Sequence, residues 1–574
     1  MPNLSQIKRQ RMLDFLETLR KEHTDDESIR AFTEIENHLR DKKYGLVWEE
    51  HSERVDEMLE ENIPIFTEDA DKKITTSADG AYNFILEGDN LQSLYLLQKT
   101  HTRRIDFIYI DPPYNTGNKD FVYNDKYIDS LDGFRHSKWL SFMNVRLRIA
   151  KKLLSPKGII FISIDDNEQS TLKLLCDEIF GEDYFAGGII VKSNPRGSQS
   201  KKEIAGLHEF ILVYTNNGGK APIIGHALTD EMSSEYKYSD SQGSYRLLGL
   251  RQRGGFWRAS ERPNLFYPFY VNPDTLEISL QKTNGFSEEV YPYQPSSGEK
   301  GTWRWSKEKV QTDGDVLLAR KVKRNGETVY DIYQKDYLNG NHGKERRTKA
   351  KSIWDEKEMN YQNAATELKA IFGTSPFTYA KPTYLVKQAL RMMDYGKKET
   401  VLDFFAGSGT TAQAVLELNN EDGGKRTVIL CTNNEGDICT DITYPRTKTV
   451  ITGITPTGED YSDGILANLK YFKCDWTPRK PEDYLLSNAL CLHIREMIEL
   501  QNSIEVDNVK NVLILNKEDF RKYVLDDEAY AQIENIWVNQ NIIFNSAEME
   551  KLNTLGFKYI PREFFGQELK EAAE

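Results

Sequence analysis

The tetrapeptide Asp111-Pro112-Pro113-Tyr114 stands directly after the apolar run Ile105–Ile110. In an open parallel sheet, ligands bind just beyond the carboxyl ends of the strands. These residue types suit the activation of an exocyclic amine. Such a nitrogen is a poor nucleophile, because its lone pair is delocalised into the ring. A carboxylate and a carbonyl that accept its two hydrogens localise the pair. Asp111 offers the first and the Pro112 C=O the second, aimed by a ring that fixes φ. Tyr114 offers a face on which an extruded base can stack. The competing reading is a Pro-Pro turn with Asp111 as an ordinary loop carboxylate.

A second segment, Asp403-Phe404-Phe405-Ala406-Gly407-Ser408-Gly409-Thr410-Thr411, follows a short strand at Thr400–Leu402 and opens a helix at Thr411–Leu418. Glycines there permit a tight turn and close backbone approach to a ligand. Without GK[ST] it is not an ATP phosphate loop, and FxGxG is not the GxGxxG of dinucleotide folds. Thr410 and Thr411 are candidates to cap the helix. Asp165 and Asp166 end a further apolar strand and are expected to order the pocket or cap a helix rather than bind metal. His208 and Glu209 have no partner spacing for a metal or a triad and read as structural. None of the cysteines, Cys176, Cys431, Cys439, Cys474 and Cys491, forms a CxxC pair, so neither a disulfide framework nor a zinc site is expected.

With DPPY first and FxGxG second, the chain resembles the DNA amino-methyltransferases that use S-adenosylmethionine, in the motif order of the β class. The resemblance covers about residues 80–435. KYGLVWEEHSE near Tyr44, EGDNLQSL at Glu87, FISIDDNEQSTLKLLCDEIFG at Phe161 and SNALCLHIREM at Ser487 look like the modification subunit of Type III restriction–modification systems. The resemblance implies a catalytic set of Asp111, Pro112, Pro113 and Tyr114. It implies cofactor contacts from Asp403, Phe405, Ala406, Gly407 and Gly409, from Asp89 in GDNL, and from Lys381 in FTYAKPTYL. One departure stands out: where this family usually has an acid for the ribose, TVILCTNNEG presents Asn433, with Glu435 slightly later. Phe404 replaces a common proline. The implied reaction is methylation of adenine N6 in double-stranded DNA by base flipping, with cytosine N4 as the close chemical alternative. Two further readings are an orphan methyltransferase and a recognition subunit that mainly guides a nuclease. The implied partners are a second copy of the chain and a separate ATP-dependent restriction subunit.

Apolar strands alternating with amphipathic helices must position these loops, which predicts a parallel sheet covered on both faces. The expected fold is an α/β Rossmann-like methyltransferase sheet, circularly permuted. It is expected to comprise a helical N-terminal region (1–80), a first core segment with DPPY (81–189), a target-recognition insert (190–360), a second core segment with FxGxG (361–470) and a small C-terminal α/β domain (471–574). The N-terminal helices are read either as packing on the body or as a dimer or partner face. Pro156–Gly158 is expected to stop a helix. The insert carries Arg251, Arg253, Arg258, Arg304, Lys321 and Arg324 among tryptophans and tyrosines, types that neutralise phosphates and read guanine edges.

At 574 residues with 39% hydrophobic content, the chain has apolar material for several cores. Mean hydropathy is −0.61, and no run approaches the roughly 18 apolar residues of a membrane span. The start, MPNLSQIKRQ, has no apolar signal core, so a cytoplasmic location is expected. Net charge is −14, which by itself disfavours nucleic acid. The charge is uneven, however, at about −8 over residues 1–80 and about +6 over 241–350. An acidic chain with a basic insert can bind DNA locally.

Overall fold

The computed structural model describes residues 4–40, 48–77, 80–123, 126–129, 131–197, 203–216, 223–324, 326–339, 346–393, 396–478, 490 and 492–564. Tyr44, Ser487 and Cys491, singled out above, lie outside the described residues. The chain divides into two compact units, Met1–Pro222 with Lys351–Glu574, and Ile223–Ala350.

The first unit is built on a ten-stranded sheet. Its strands are β1 (Asn62–Glu68), β2 (Tyr82–Glu87), β3 (Ile105–Ile110), β4 (Leu154–Ile164), β5 (Phe185–Val191), β6 (Glu209–Thr215), β7 (Ile353–Trp354), β8 (Thr400–Asp403), β9 (Thr427–Thr432) and β10 (Asn468–Pro478). Across the sheet the order is β1-β10-β2-β9-β8-β3-β4-β6-β5-β7. The six strands from β10 to β4 run parallel to one another. Strand β6 is antiparallel to both β4 and β5. This is the expected α/β Rossmann-like sheet, with the strand of the Gly-rich loop central in space but late in the chain.

Burial explains why these segments become inner strands. Ile105, Phe107, Ile108 and Ile110 in β3 are all fully buried, as a strand covered on both faces requires. One cover is the helix Arg135–Leu153, which buries Trp139, Met143, Leu147 and Ala150 at the 3–4-residue spacing of a single helical face. Strands β3 and β8 are neighbours, with Phe107 beside Val401 and Ile108 beside Leu402. The two chemistry-bearing loops therefore leave adjacent strands in the same direction.

Four boundaries differ from the sequence reading. Pro156 does not end a helix in a turn; it lies within β4, where pairing to β3 shifts register between Ile105 and Phe107. An irregular position tolerates a residue with no N–H. Within the N-terminal 80 residues, Asn62–Glu68 is the edge strand β1, antiparallel to β10. Residues 190–222 and 351–360 belong to the first unit, because β6 and β7 are strands of its sheet. Toward the C-terminus, β10 also joins that sheet. Beyond it, strands Asn511–Ile514, Asn535–Val538 and Lys558–Tyr559 form a separate parallel sheet over a core that includes Val512, Phe520 and Leu552.

The second unit has an antiparallel sheet of Tyr238–Asp240, Gly243–Gly249, Glu327–Tyr337 and Leu317–Arg324. Its core gathers Leu250, Phe269, Trp303, Ala319 and Ile332. Among the described residues, no helix is long and apolar enough to cross a membrane.

Candidate active site

Five parallel strands, β2, β9, β8, β3 and β4, end on one edge of the sheet, and a cavity of about 1010 Å³ opens there. Its lining includes Asp89, Asp111, Tyr114, Asp165, Glu209, Lys381, Phe405, Gly407 and Asn433. Strand order sets the layout. Asp89 and Asn433 follow the neighbours β2 and β9, Phe405 follows β8, and Asp111 follows β3.

Asp111 is the centre of a polar cluster. Its Oδ2 accepts from Lys381 Nζ at 2.6 Å, and its Oδ1 accepts from the Tyr114 hydroxyl at 2.9 Å. Burial pushes the Asp111 pKa up, against the pull of the Lys381 charge. The same Tyr114 hydroxyl is 2.8 Å from Glu209 Oε2, so its one hydrogen is shared between the two carboxylates; the Tyr361 hydroxyl donates to Glu209 Oε2 at 2.8 Å. Lys381 Nζ is 3.6 Å from the same oxygen. The loop is held from below, since Trp139 Nε1 donates to the Pro113 carbonyl at 2.7 Å. Among the described residues, no donor bonds the Pro112 carbonyl, and Pro112 lines the cavity. Asn115 then takes a left-handed φ of 57° and donates to buried Glu168 at 2.6 Å, closing the turn.

The Gly-rich loop is built around Asp403. Its carboxylate accepts from Phe405 N at 3.0 Å and from Thr411 Oγ1 at 2.5 Å. Gly407 has φ 46°, a conformation strained for any other residue, and a Cβ there would press on the Phe377 ring at 3.1 Å. Gly409, with φ 79°, is the N-cap of the helix Thr410–Asp422. The threonines do not cap that helix as expected. Thr411 serves Asp403, and Thr410 Oγ1 donates to the Lys381 carbonyl at 3.1 Å. Asp89 is the N-cap of the helix Asn90–His101, accepting from Leu91 N at 2.7 Å. Asn433 is exposed on the cavity rim, and Thr432 and Glu435 line the same end.

Sequence reasoning missed three contributors. Glu209, read as structural, is in the cavity. Arg146 is fully buried, with Nη1 2.5 Å from Glu53 and Nε donating to Asn90 at 2.6 Å; Asn90 in turn donates to the Phe404 carbonyl at 2.8 Å. Arg446 is also fully buried. It donates to Gln413, Ser408, Thr410 and, at 3.1 Å, Glu367. Glu209 reaches the cavity because β6 runs antiparallel to β4, which brings its first residue to the carboxyl edge; the sequence offered only an acid at the head of an apolar run. Asp165 lines the cavity, and burial raises its pKa to about 6. It bonds its own turn through Asn167 N at 2.8 Å. Among the described residues, no acid, histidine or cysteine cluster suits a metal.

The basic candidates belong to the second unit. Arg251 is buried and paired with Asp331 at 2.6 Å, and Arg324 pairs with the same acid. Arg253, Arg258, Arg304 and Lys321 are exposed. Arg258 lies over the Trp257 ring at 4.7 Å, and Arg304 donates to Gln334 at 3.3 Å.

The donor set fits a nucleoside cofactor. Asp89, Asn433 and Glu435 at one end suit hydroxyl and amino hydrogens, and the cavity is large enough for a cofactor beside a base. The sheet order and the two adjoining loops define a Rossmann-like methyltransferase. Residues 105–443 match the family model described as DNA methylase. The chain is 38% identical to the Type II methyltransferase M.KpnI of Klebsiella pneumoniae, over 69% of this chain and 91% of that one. It is 33% identical to the Type III restriction-modification enzyme EcoPI Mod subunit of Escherichia phage P1, over 71% of this chain and 66% of that one. It is 34% identical to the StyLTI Mod subunit of Salmonella typhimurium, over 65% of this chain and 56% of that one. The chain belongs to the DNA methylase family and is an S-adenosylmethionine-dependent DNA methyltransferase.

Proposed function

We propose that the chain methylates adenine N6 in double-stranded DNA as the modification subunit of a restriction–modification system. The observation that carries this reading is that the Asp111 carboxylate, Pro112 and the Tyr114 ring line one cavity with the Gly-rich loop. An extruded base stacks on Tyr114. Its amino group donates one hydrogen bond to Asp111 and the other to the Pro112 carbonyl, which localises the nitrogen lone pair for attack; once the N–C bond has formed, the nitrogen gives up one proton by way of Asp111 to solvent. S-adenosylmethionine, when bound, supplies an electrophilic methyl carbon with its own leaving group. Asp403, Phe405, Ala406 and Gly407 line its seat, with Gly409 behind them starting the next helix and Asp89 and Asn433 or Glu435 at the nucleoside end. Catalysis is positioning and electrostatics.

The second unit is the proposed recognition region, with Arg253, Arg258, Arg304 and Lys321 toward DNA. Arg251 and Arg324 brace it through Asp331. The N-terminal helices Leu4–Glu22 and Asp26–Arg40 are the proposed dimer face; Phe15 and Met12 there are 63% and 44% exposed. The Type III likeness supports a separate ATP-dependent restriction subunit as partner. A methyltransferase acting without that subunit is the second reading, favoured by the 91% coverage of M.KpnI. Co-purification with a large ATPase–nuclease separates the two.

Methylation-sensitive long-read sequencing of DNA exposed to the protein tests the substrate. One fixed motif bearing N6-methyladenine is expected, with none from Asp111→Ala. Marks on cytosine, or identical marks from the variant, would overturn the reading.

A further inference from the structure

Lys381 occupies the carboxylate that the reaction needs. Its ammonium is 2.6 Å from Asp111 Oδ2, and its side chain is only 5% exposed. The other Asp111 oxygen is engaged by Tyr114. An ammonium in that position draws off the negative charge with which Asp111 would polarise an amine. It also opposes the positive charge that grows on the nitrogen as the new bond forms. A base entering this structure therefore meets a carboxylate already neutralised.

The same cluster contains a second acceptor for that ammonium. Among the described residues, Asp111 and Glu209 are the two acids within 4.0 Å of Lys381 Nζ. Glu209 Oε2 accepts from the Tyr361 hydroxyl at 2.8 Å and lies 2.8 Å from the Tyr114 hydroxyl, whose one hydrogen it shares with Asp111. The Lys381 backbone is anchored by Thr410 Oγ1, and the next turn by Thr383 donating to Glu367 at 3.0 Å. Only the end of the lysine side chain has to move. The two distances, 2.6 and 3.6 Å, put the needed shift at about 1 Å.

We infer that Glu209 is a positioning residue that takes the Lys381 ammonium from Asp111 when the target base enters, freeing Asp111 for the base's amino group. This rests on the reading of Asp111 as the amine's acceptor. Glu209 touches neither methyl donor nor amine in this scheme. It works through Lys381 and through the Tyr114 hydroxyl, which it shares with Asp111.

The test uses the whole 574-residue chain on duplexes carrying the motif mapped for the wild type. Three proteins are compared: wild type, Glu209→Gln, and Glu209→Gln combined with Lys381→Met. Each is measured for S-adenosylmethionine affinity by calorimetry, for single-turnover methyl transfer, and for fluorescence of 2-aminopurine at the target position. The single variant is expected to bind cofactor within about twofold of wild type while transfer falls about 100-fold and the 2-aminopurine signal drops. Adding Lys381→Met is expected to raise transfer about tenfold above the single variant, because the ammonium that sequesters Asp111 is gone. A passive structural role for Glu209 gives no such rescue. Transfer by Glu209→Gln within about threefold of wild type, a double variant no faster than the single, or loss of cofactor affinity in the single variant would each overturn the inference. Absence of transfer by the wild type itself would instead bring down the reading of the site, and the inference with it.

Discussion

Asp403 is a carboxylate whose partners are a backbone N–H and a hydroxyl. Burial, the largest influence, raises its pKa to about 7, and the nearby Asp111 charge adds to the rise. Between its usual value near 4 and about 7 the folded protein therefore binds a proton that the unfolded chain has released. Stability from this group is greatest below that window and declines as pH rises through it. Asp403→Asn removes the titration while keeping the acceptor for Phe405 N. Denaturant unfolding at a series of pH values is expected to show a shallower loss of stability from about pH 4 to 7 in the variant, and equal slopes would refute this account. At this scale the motif residues were readable because their types are unusual: few jobs need an acid, two prolines and an aromatic in a row. Glu209 was not readable, because a single acid at the start of an apolar strand has many structural uses.

At the level of elements, the site depends on cross-braces between loops distant in sequence. Arg446 lies on the helix Tyr444–Thr452 and reaches the Gly-rich loop, its following helix and Glu367. Glu367 in turn holds Thr383, just after Lys381. Arg446→Met strands Glu367 and several acceptors in a buried setting, at an expected cost of about 3–5 kcal/mol. A fall in the unfolding midpoint should appear together with weaker cofactor binding, since the same brace shapes the cavity; unchanged affinity would separate the two. The helices and inner strands of the core were legible from apolar periodicity, which directly reflects which face is buried. The braces were not, since a buried arginine and an exposed one look alike in a row of letters. Pro156 shows the same limit: proline announces a break in regular pairing, and only the neighbouring strand decides whether that break is a turn or a bulge.

For the whole molecule, charge is partitioned. The chain carries −14 in total, yet the second unit presents exposed Arg253, Arg258 and Lys321. Changing these three to alanine is expected to weaken duplex binding and flatten its salt dependence, by about one unit in log–log slope for each phosphate no longer neutralised. Cofactor affinity should stay as it was; titrations at several salt concentrations check both, and an unaltered slope would remove these residues from the DNA face. The amino-acid order alone determined that a carboxylate loop and a glycine loop each follow a strand, because strand periodicity and turn chemistry act over a few residues. It did not determine that they share an edge. That followed from β3 and β8 pairing side by side although they lie far apart in the chain, and from β6 entering antiparallel with Glu209 at its head. Such long-range pairing is chosen by burial over the entire sheet, which no local stretch encodes.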